Sequence, residues 1–188
     1  MLPDHHTRTK LKDKVVGIAG CGGLGSNCAV ALARVGVGTL IIADFDVVEA
    51  SNLNRQHFFR DQIGQKKAMA LKEIIHNIDQ EIVVDAYDVF LTPDNIPAIF
   101  GRCDVIVEAF DKAEMKQMII ETVITRMSDK HLVCGIGLAG WGNNDSIHTH
   151  QQERIYICGD ETLEVSDTYP PLAPRVGIVA NGIVSEEI

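Results

Sequence analysis

The chain has 188 residues, 46% of them hydrophobic and 23% charged, with 6 Pro and 16 Gly, which suits one globular domain and excludes both a disordered segment and two independent domains. Its 17 basic against 26 acidic residues give a formal net charge of −9 with no Lys/Arg block, so a sequence-independent grip on nucleic-acid phosphates is disfavoured and no nucleic-acid partner is expected. No apolar run approaches the roughly 18 residues of a membrane helix, and 5 cysteines without a CxxC pair, behind an N-terminus with no apolar signal region, point to a soluble cytoplasmic protein with no membrane partner, no disulfide framework and no four-thiolate zinc site.

Val15 to Ala19 is an apolar run ending in a glycine-rich turn, after which Leu24, Cys28, Ala31, Leu32 and Val35 recur at helical spacing. Gly36 and Gly38 stop that helix, and Thr39 to Ala43 form a second β-rich run closed by Asp44-Phe45-Asp46. Residues 47–64 show no clear period. Leu71, Ile74, Ile75 and Ile78 then mark a helix from about Gln65 to Asn77. Ile82 to Val84 reads as a third strand, Pro93 to Phe100 as a short helix, Val105 to Ala109 as a buried strand, Met115 to Met127 as a helix and Leu132 to Ile136 as the next strand. After the Gly/Asn-rich loop Gly140 to Asn144, the runs Ser146 to His150 and Arg154 to Ile157 alternate with no helix between them. Pro174 to Ile188 is near-helical and stops without a cap, as if a longer natural chain continued it. The fold class is therefore α/β: a doubly wound sheet, mostly parallel, with an antiparallel C-terminal extension, all in one domain over residues 1–188.

A nucleotide assignment for this domain rests on Gly20-Cys21-Gly22-Gly23-Leu24-Gly25, a G-x-G-x-x-G run that comes after a strand and opens a helix. Small residues there permit a tight turn and close approach to a ligand, and a helix N-terminus favours negative charge. Asp44 stands 19 residues past Gly25 at the end of the second strand, where a carboxylate hydrogen-bonds ribose hydroxyls. A plain dehydrogenase has no need of the polar segment beyond this acid. Ser51-Asn52-Leu53-Asn54-Arg55-Gln56 and the Lys66-Lys67 pair supply a bidentate fork and point charges behind the ribose acid, as a triphosphate tail requires.

The runs GCGGLGSN, DFDVVEASNLNRQ and IGQKK resemble those of the ThiF/MoeB/HesA superfamily of ATP-dependent activating enzymes, from about Val15 to Ile136, and the short ThiF type is the nearest likeness. The resemblance implies a Rossmann-like fold, homodimerisation, and adenylation of the C-terminal glycine carboxylate of a small ubiquitin-like sulfur carrier of the ThiS type. It further implies that Asp44 holds the ribose and that Asn52, Arg55 and Lys67 contact the ATP phosphates, with Gln56 in support, beside the cofactor-binding glycines Gly20, Gly22, Gly23 and Gly25. Asp111, after the strand ending near Ala109, matches the aspartate that binds Mg²⁺, though Asp ahead of a helix also reads as an N-cap. Arg55, Lys67 and Asp111 are thus the catalytic candidates.

Departures from the family pattern qualify this expectation. The two zinc-binding CxxC pairs of longer members are absent, so no zinc is expected, and the only arginine upstream of the glycine loop, Arg8, is the one candidate for a charge supplied to a partner subunit. Cys158 is the best-placed thiol for a covalent carrier step, although Asp160 nearby would raise its pKa, and Cys134 and Cys21 read as packing residues. His148 with His150, or His5 with His6, lack an evident third metal ligand. Trp141 offers an aromatic surface for a carrier's tail. An NAD(P)-dependent oxidoreductase and a nucleotide-binding scaffold without catalysis stand as alternatives.

Overall fold

The computed structural model describes residues 9–160, 162 and 165–186. Strands β1 (Val15–Ala19), β2 (Thr39–Ala43), β3 (Val83–Tyr87), β4 (Val105–Glu108), β5 (His131–Ile136), β6 (His148–Gln152) and β7 (Ile155–Gly159) form one sheet in the order β3-β2-β1-β4-β5-β7-β6. The helices α1 (Gly23–Val35), α2 (Lys67–Ile78), α3 (Ile96–Phe100), α4 (Ala113–Arg126) and α5 (Ala173–Glu186) connect or follow them.

The central strands are continuous apolar runs because helices cover both sheet faces. Alternation within them sorts the side chains. Val16, Ile18, Leu40, Ile42, Val107 and Val133 enter one core with Leu32 of α1, Leu71 of α2 and Val179 of α5. Ile41, Ala43, Ile106 and Leu132 enter the other with Phe100 of α3 and Ile119 of α4. Gly17 makes room there, since a Cβ on it would come within 2.7 Å of the Phe100 ring.

Two elements differ from the sequence reading in an instructive way. β3 runs on to Tyr87 through Asp85, pairing Ile41 with Asp85 and Ala43 with Tyr87; as an edge strand it tolerates polar residues that obscure its period. β7 inserts between β5 and β6, parallel to β5 and antiparallel to β6. The antiparallel extension is therefore confined to the outer β6 edge, whose exposed sequence HTHQQ is polar enough to discourage further pairing.

β1 leads through α1 to β2 on one side, whereas β4 returns on the other side of β1. The carboxyl ends of β1 and β4 thus flank the topological switch point, where open sheets of this kind bind ligands.

Candidate nucleotide-binding site

The glycine loop springs from this switch point. Gly20 N–H donates to Ala43 O at 2.9 Å, and Ala109 N–H donates to Ala19 O at 2.9 Å, so strands on both sides hold the turn. Gly20 has φ +100°, and a Cβ there would lie 2.9 Å from Ala109 O; one on Gly25 would be driven into Gly20 O. These two positions need glycine for the chain's own sake. Gly22 and Gly23 do not: their nearest neighbours would be Gln56 Nε2 at 3.8 Å and Val176 Cγ1 at 3.5 Å. A methyl would fit at either position in ordinary contact with these neighbours, at an α1 N-terminus with no side-chain cap and no acidic residue in its first turn, which is a setting for a closely approaching anion.

Asp44 braces this loop. Its Oδ2 accepts the Cys21 N–H at 2.6 Å and its Oδ1 accepts the Asp46 N–H at 2.8 Å. Burial pushes the carboxyl up, while the two N–H groups and the Lys67 ammonium act against that. The predicted ribose ligand is therefore also a structural strut, with lone pairs to spare on both oxygens.

Residues 47–64, without period in the sequence, fold into short 3₁₀ turns at Ala50–Asn52 and Arg60–Gln62. Buried Asn52 accepts the Glu49 N–H through Oδ1 at 3.0 Å. Arg55 donates to Asn54 Oδ1 at 2.9 Å and Ser51 O at 3.3 Å, its methylenes facing Gly23. Asn27 of α1 stitches the two regions, donating from Nδ2 to Gly23 O at 2.6 Å and to Arg55 O at 3.0 Å. Ser26 Oγ accepts the His57 N–H at 3.1 Å. Gln56 is buried beside Gly22, and its Oε1 has no hydrogen-bond partner among the described residues. Lys67 is buried at the start of α2, donating to Asp46 Oδ2 at 2.9 Å, and its charge is felt at both Cys21 and Asp44. Arg55, Gln56 and Lys67 thus flank the glycine loop.

Asp111 is exposed in the bend after β4. It does not cap α4, whose N-cap position is Lys112 without a side-chain bond. Phe110 of the same loop lies against Gly20, 3.6 Å from where a Cβ would sit. No group of three His, Cys, Asp or Glu residues that could hold a metal occurs among the described residues. Mg²⁺ carried on phosphates needs only one or two protein carboxylates, so an exposed Asp111 at this edge fits that donor set.

Other candidates fare differently. Cys158 is buried, and its Sγ lies 2.6 Å from the position a Gly182 Cβ would take. Receiving a carrier there would require α5 to unpack, which removes the sequence-based case for a thiol step at this residue. Burial pushes the Cys134 thiol up to about 12. His148 and His150 share an exposed face of β6 with ring centroids 6.4 Å apart. Trp141 is 76% exposed and lines a groove of about 160 Å³ with Gly142, Pro174 and Ile178. His5, His6 and Arg8 lie outside the described residues.

Sequence reasoning missed three features. One is the Asn27 clamp. The second is Glu108, wholly buried at the end of β4 and paired with Lys116. The third is Arg175 at the start of α5, which pairs with buried Asp160 and donates to Gly137 O and Ser146 Oγ, fixing the loop after β5. The Thr162 hydroxyl, followed by the Ser146 hydroxyl, the Thr162 N–H and Arg175, holds the Asp160 carboxyl down to about 2.

Comparison with known proteins bears on the family and the fold. The sequence matches the model of the ThiF family over residues 2–188. It is 30% identical to the adenylyltransferase and sulfurtransferase MOCS3 of Xenopus laevis over 84% of this chain and 35% of the relative. It is 31% identical to ubiquitin-like modifier-activating enzyme 5 of Bombyx mori over 91% of this chain and 46% of the relative. The chain thus spans less than half the length of these two relatives. Among solved structures, the tRNA N6-threonylcarbamoyladenosine dehydratase TcdA of E. coli, crystallised with ATP, superposes with a TM-score of 0.86 at 24% identity, over 98% of this chain and 88% of that one. E. coli MccB with MccA-N7isoASN gives 0.72 at 23% identity, over 96% and 57%. These likenesses show the shared fold, including its mostly parallel sheet. Among the described residues no helix is long and apolar enough to cross a membrane.

Proposed function

Because the chain belongs to the ThiF family, we propose that it adenylates the C-terminal glycine carboxylate of a small ubiquitin-like sulfur carrier of the ThiS type, consuming ATP and releasing pyrophosphate. The observation that carries this reading is the uncapped N-terminus of α1 at the glycine loop, with no acidic residue in its first turn and with Arg55, Gln56 and Lys67 beside it. The names of the relatives, an adenylyltransferase and a ubiquitin-like modifier-activating enzyme, support the reaction class. The carrier's carboxylate oxygen attacks the α-phosphorus, a bond forms there, and the bond from that phosphorus to the bridging oxygen of pyrophosphate breaks. The nucleophile is already an anion, so no general base is required. Rate comes from alignment and from cations set against charge that develops on phosphate oxygens.

In this reading Asp44 accepts from the ribose while bracing the loop, and the Gly22 and Gly23 backbone lets the nucleotide approach α1. Arg55 turns its fork from Asn54 and Ser51 to the phosphates, Lys67 supplies a second charge beside it, and Asn52 and Gln56 complete the polar lining. The Gln56 Oε1, without a partner among the described residues, would gain one from a hydroxyl or amino group of the nucleotide. Asp111 would hold Mg²⁺, which when bound neutralises phosphate charge. Trp141 and its groove are where the carrier's tail is received, and the protein works as a cytoplasmic homodimer, which a sizing measurement checks.

ATP–pyrophosphate exchange with added carriers ending in Gly-Gly tests the assignment. Exchange that depends on the carrier is expected. ATP binding without exchange, for every ThiS-type carrier tried, would leave a scaffold instead of an enzyme, and thermal stabilisation by NAD in place of ATP would point to an oxidoreductase.

A further inference from the structure

Glu108 and Lys116 form an ion pair that the proposed reaction does not use directly. Glu108 ends β4, in register with Ala19 of β1 and Cys134 of β5, and is fully buried. Lys116 Nζ, on the first turns of α4, lies 2.9 Å from both carboxylate oxygens and donates to Gly135 O at 2.9 Å. Glu108 Oε1 also accepts the Phe110 N–H at 2.7 Å. One carboxylate and one ammonium therefore tie together the ends of β4 and β5, the start of α4, and the loop whose next residue is Asp111.

Burying such a pair costs desolvation that packed apolar side chains would avoid, so stability alone gives little reason for it. Its geometry serves placement. The Phe110 N–H is fixed from below by the Glu108 carboxylate, the Phe110 ring rests by Gly20, and α4 is held at one distance from the strand by Lys116. What remains outside this bracing is the exposed Asp111 carboxylate. We infer that Glu108 and Lys116 are positioning residues that set the Ala109–Lys112 loop so that Asp111 faces the metal-bound phosphates; the inference rests on the metal role proposed for Asp111.

The test is calorimetric titration of ATP into the full chain, with and without Mg²⁺, on the wild type, Asp111→Ala, Lys116→Arg, Glu108→Gln and the apolar double variant Glu108→Leu/Lys116→Met. Adding Mg²⁺ should tighten wild-type ATP binding by about ten-fold. Asp111→Ala should lose that gain. The double variant should melt cooperatively and keep metal-free ATP affinity within about two-fold, yet also lose most of the gain, whereas Lys116→Arg retains it because the cation is kept. In carrier-dependent exchange the double variant should lower kcat with little change in the metal-free ATP affinity. A folded double variant with the full Mg²⁺ gain, beside an Asp111→Ala that has lost it, overturns the positioning role and leaves Asp111 standing. An Asp111→Ala that keeps the gain removes the metal reading and the inference with it. Should the double variant fail to fold, Glu108→Gln, equal in shape, decides by the same measurement.

Discussion

The two halves of the sheet hold their loops by different means. On the β1–β2 side the glycine loop is fixed by backbone: Gly20 hydrogen-bonds Ala43, Gly25 packs on Gly20, and the charged group involved, Asp44, is bonded to main-chain N–H groups. On the β4–β5–β7 side tight glycines recur, as at Gly137, where a Cβ would be driven into Asp160 O, but buried ion pairs are added to them, Glu108 with Lys116 and Asp160 with Arg175. A backbone-built loop is intolerant of added atoms. A charge-built loop is intolerant of lost partners, and that contrast sets out where each half should fail.

The largest effect is expected on the charged side. Arg175→Met would leave the buried Asp160 carboxylate its Thr162 and Ser146 hydrogen bonds but no counter-charge, at a cost of about 3 kcal/mol. Urea unfolding should show it, and a loss under about 1 kcal/mol would mean that the pair does not anchor α5.

Next comes a matched pair on the backbone side. Gly25→Ala forces a methyl into Gly20 O and should cost about 1–3 kcal/mol, with ATP binding lost as the loop shifts. Gly23→Ala meets only ordinary contacts at 3.5 Å and beyond; on a helix it should leave stability unchanged or raise it by up to about 1 kcal/mol. Its ATP affinity should nonetheless fall by about ten-fold, because the methyl adds bulk against the Arg55 side chain, where the nucleotide would approach α1. Unaltered ATP affinity in Gly23→Ala would show that this glycine is not there for close approach.

Acid should separate the halves in opposite senses. Asp160 is held below its ordinary value, to about 2. The stability it contributes is present above the unfolded carboxyl pKa of about 3.9, and is lost as pH falls from there through the folded value. Asp44 is raised by burial, so the folded state takes up its proton before the unfolded state does, and acidification through that interval favours folding. Stability curves against pH should therefore flatten at the acid end in Asp160→Asn and steepen there in Asp44→Asn. The same acid slope in both variants would remove the contrast.

The backbone-built half was legible in the sequence because its determinants are local. Gly20 to Gly25 and Asp44 lie within one β-α-β unit, and Asn52 to Gln56 come directly after it. The charge-built half was not legible. Glu108 reads as the polar end of an apolar strand, and nothing in the spacing announces that Lys116, one helix turn into the next element, folds back onto it. Asp160 and Arg175 meet only because β7 enters the sheet beside β5, an insertion that short alternating runs cannot distinguish from a simple hairpin. Residues 47–64 lacked a period since their structure is 3₁₀ turns and side-chain bonds, which leave no repeat to read.

The smallest effect tests the seam inside the backbone-built half. Asn27 is a single side chain joining Gly23 O to Arg55 O, and its partners are carbonyls that water can reach once the amide is gone. Asn27→Ala should cost only about 0.5–1.5 kcal/mol, the worth of a typical bond. If the clamp serves chiefly to keep the Arg55 segment over the glycine loop, ATP affinity should fall further than stability does, by several-fold, and Asn27→Gln, too long to reach both carbonyls at once, should not restore it. Equal losses in both variants' stability with wild-type ATP affinity would mean that the 51–56 segment keeps its place without the clamp, held there by Ser26 and the His57 N–H; the seam would then lie at Ser26, and Ser26→Ala should be the change that loosens Arg55.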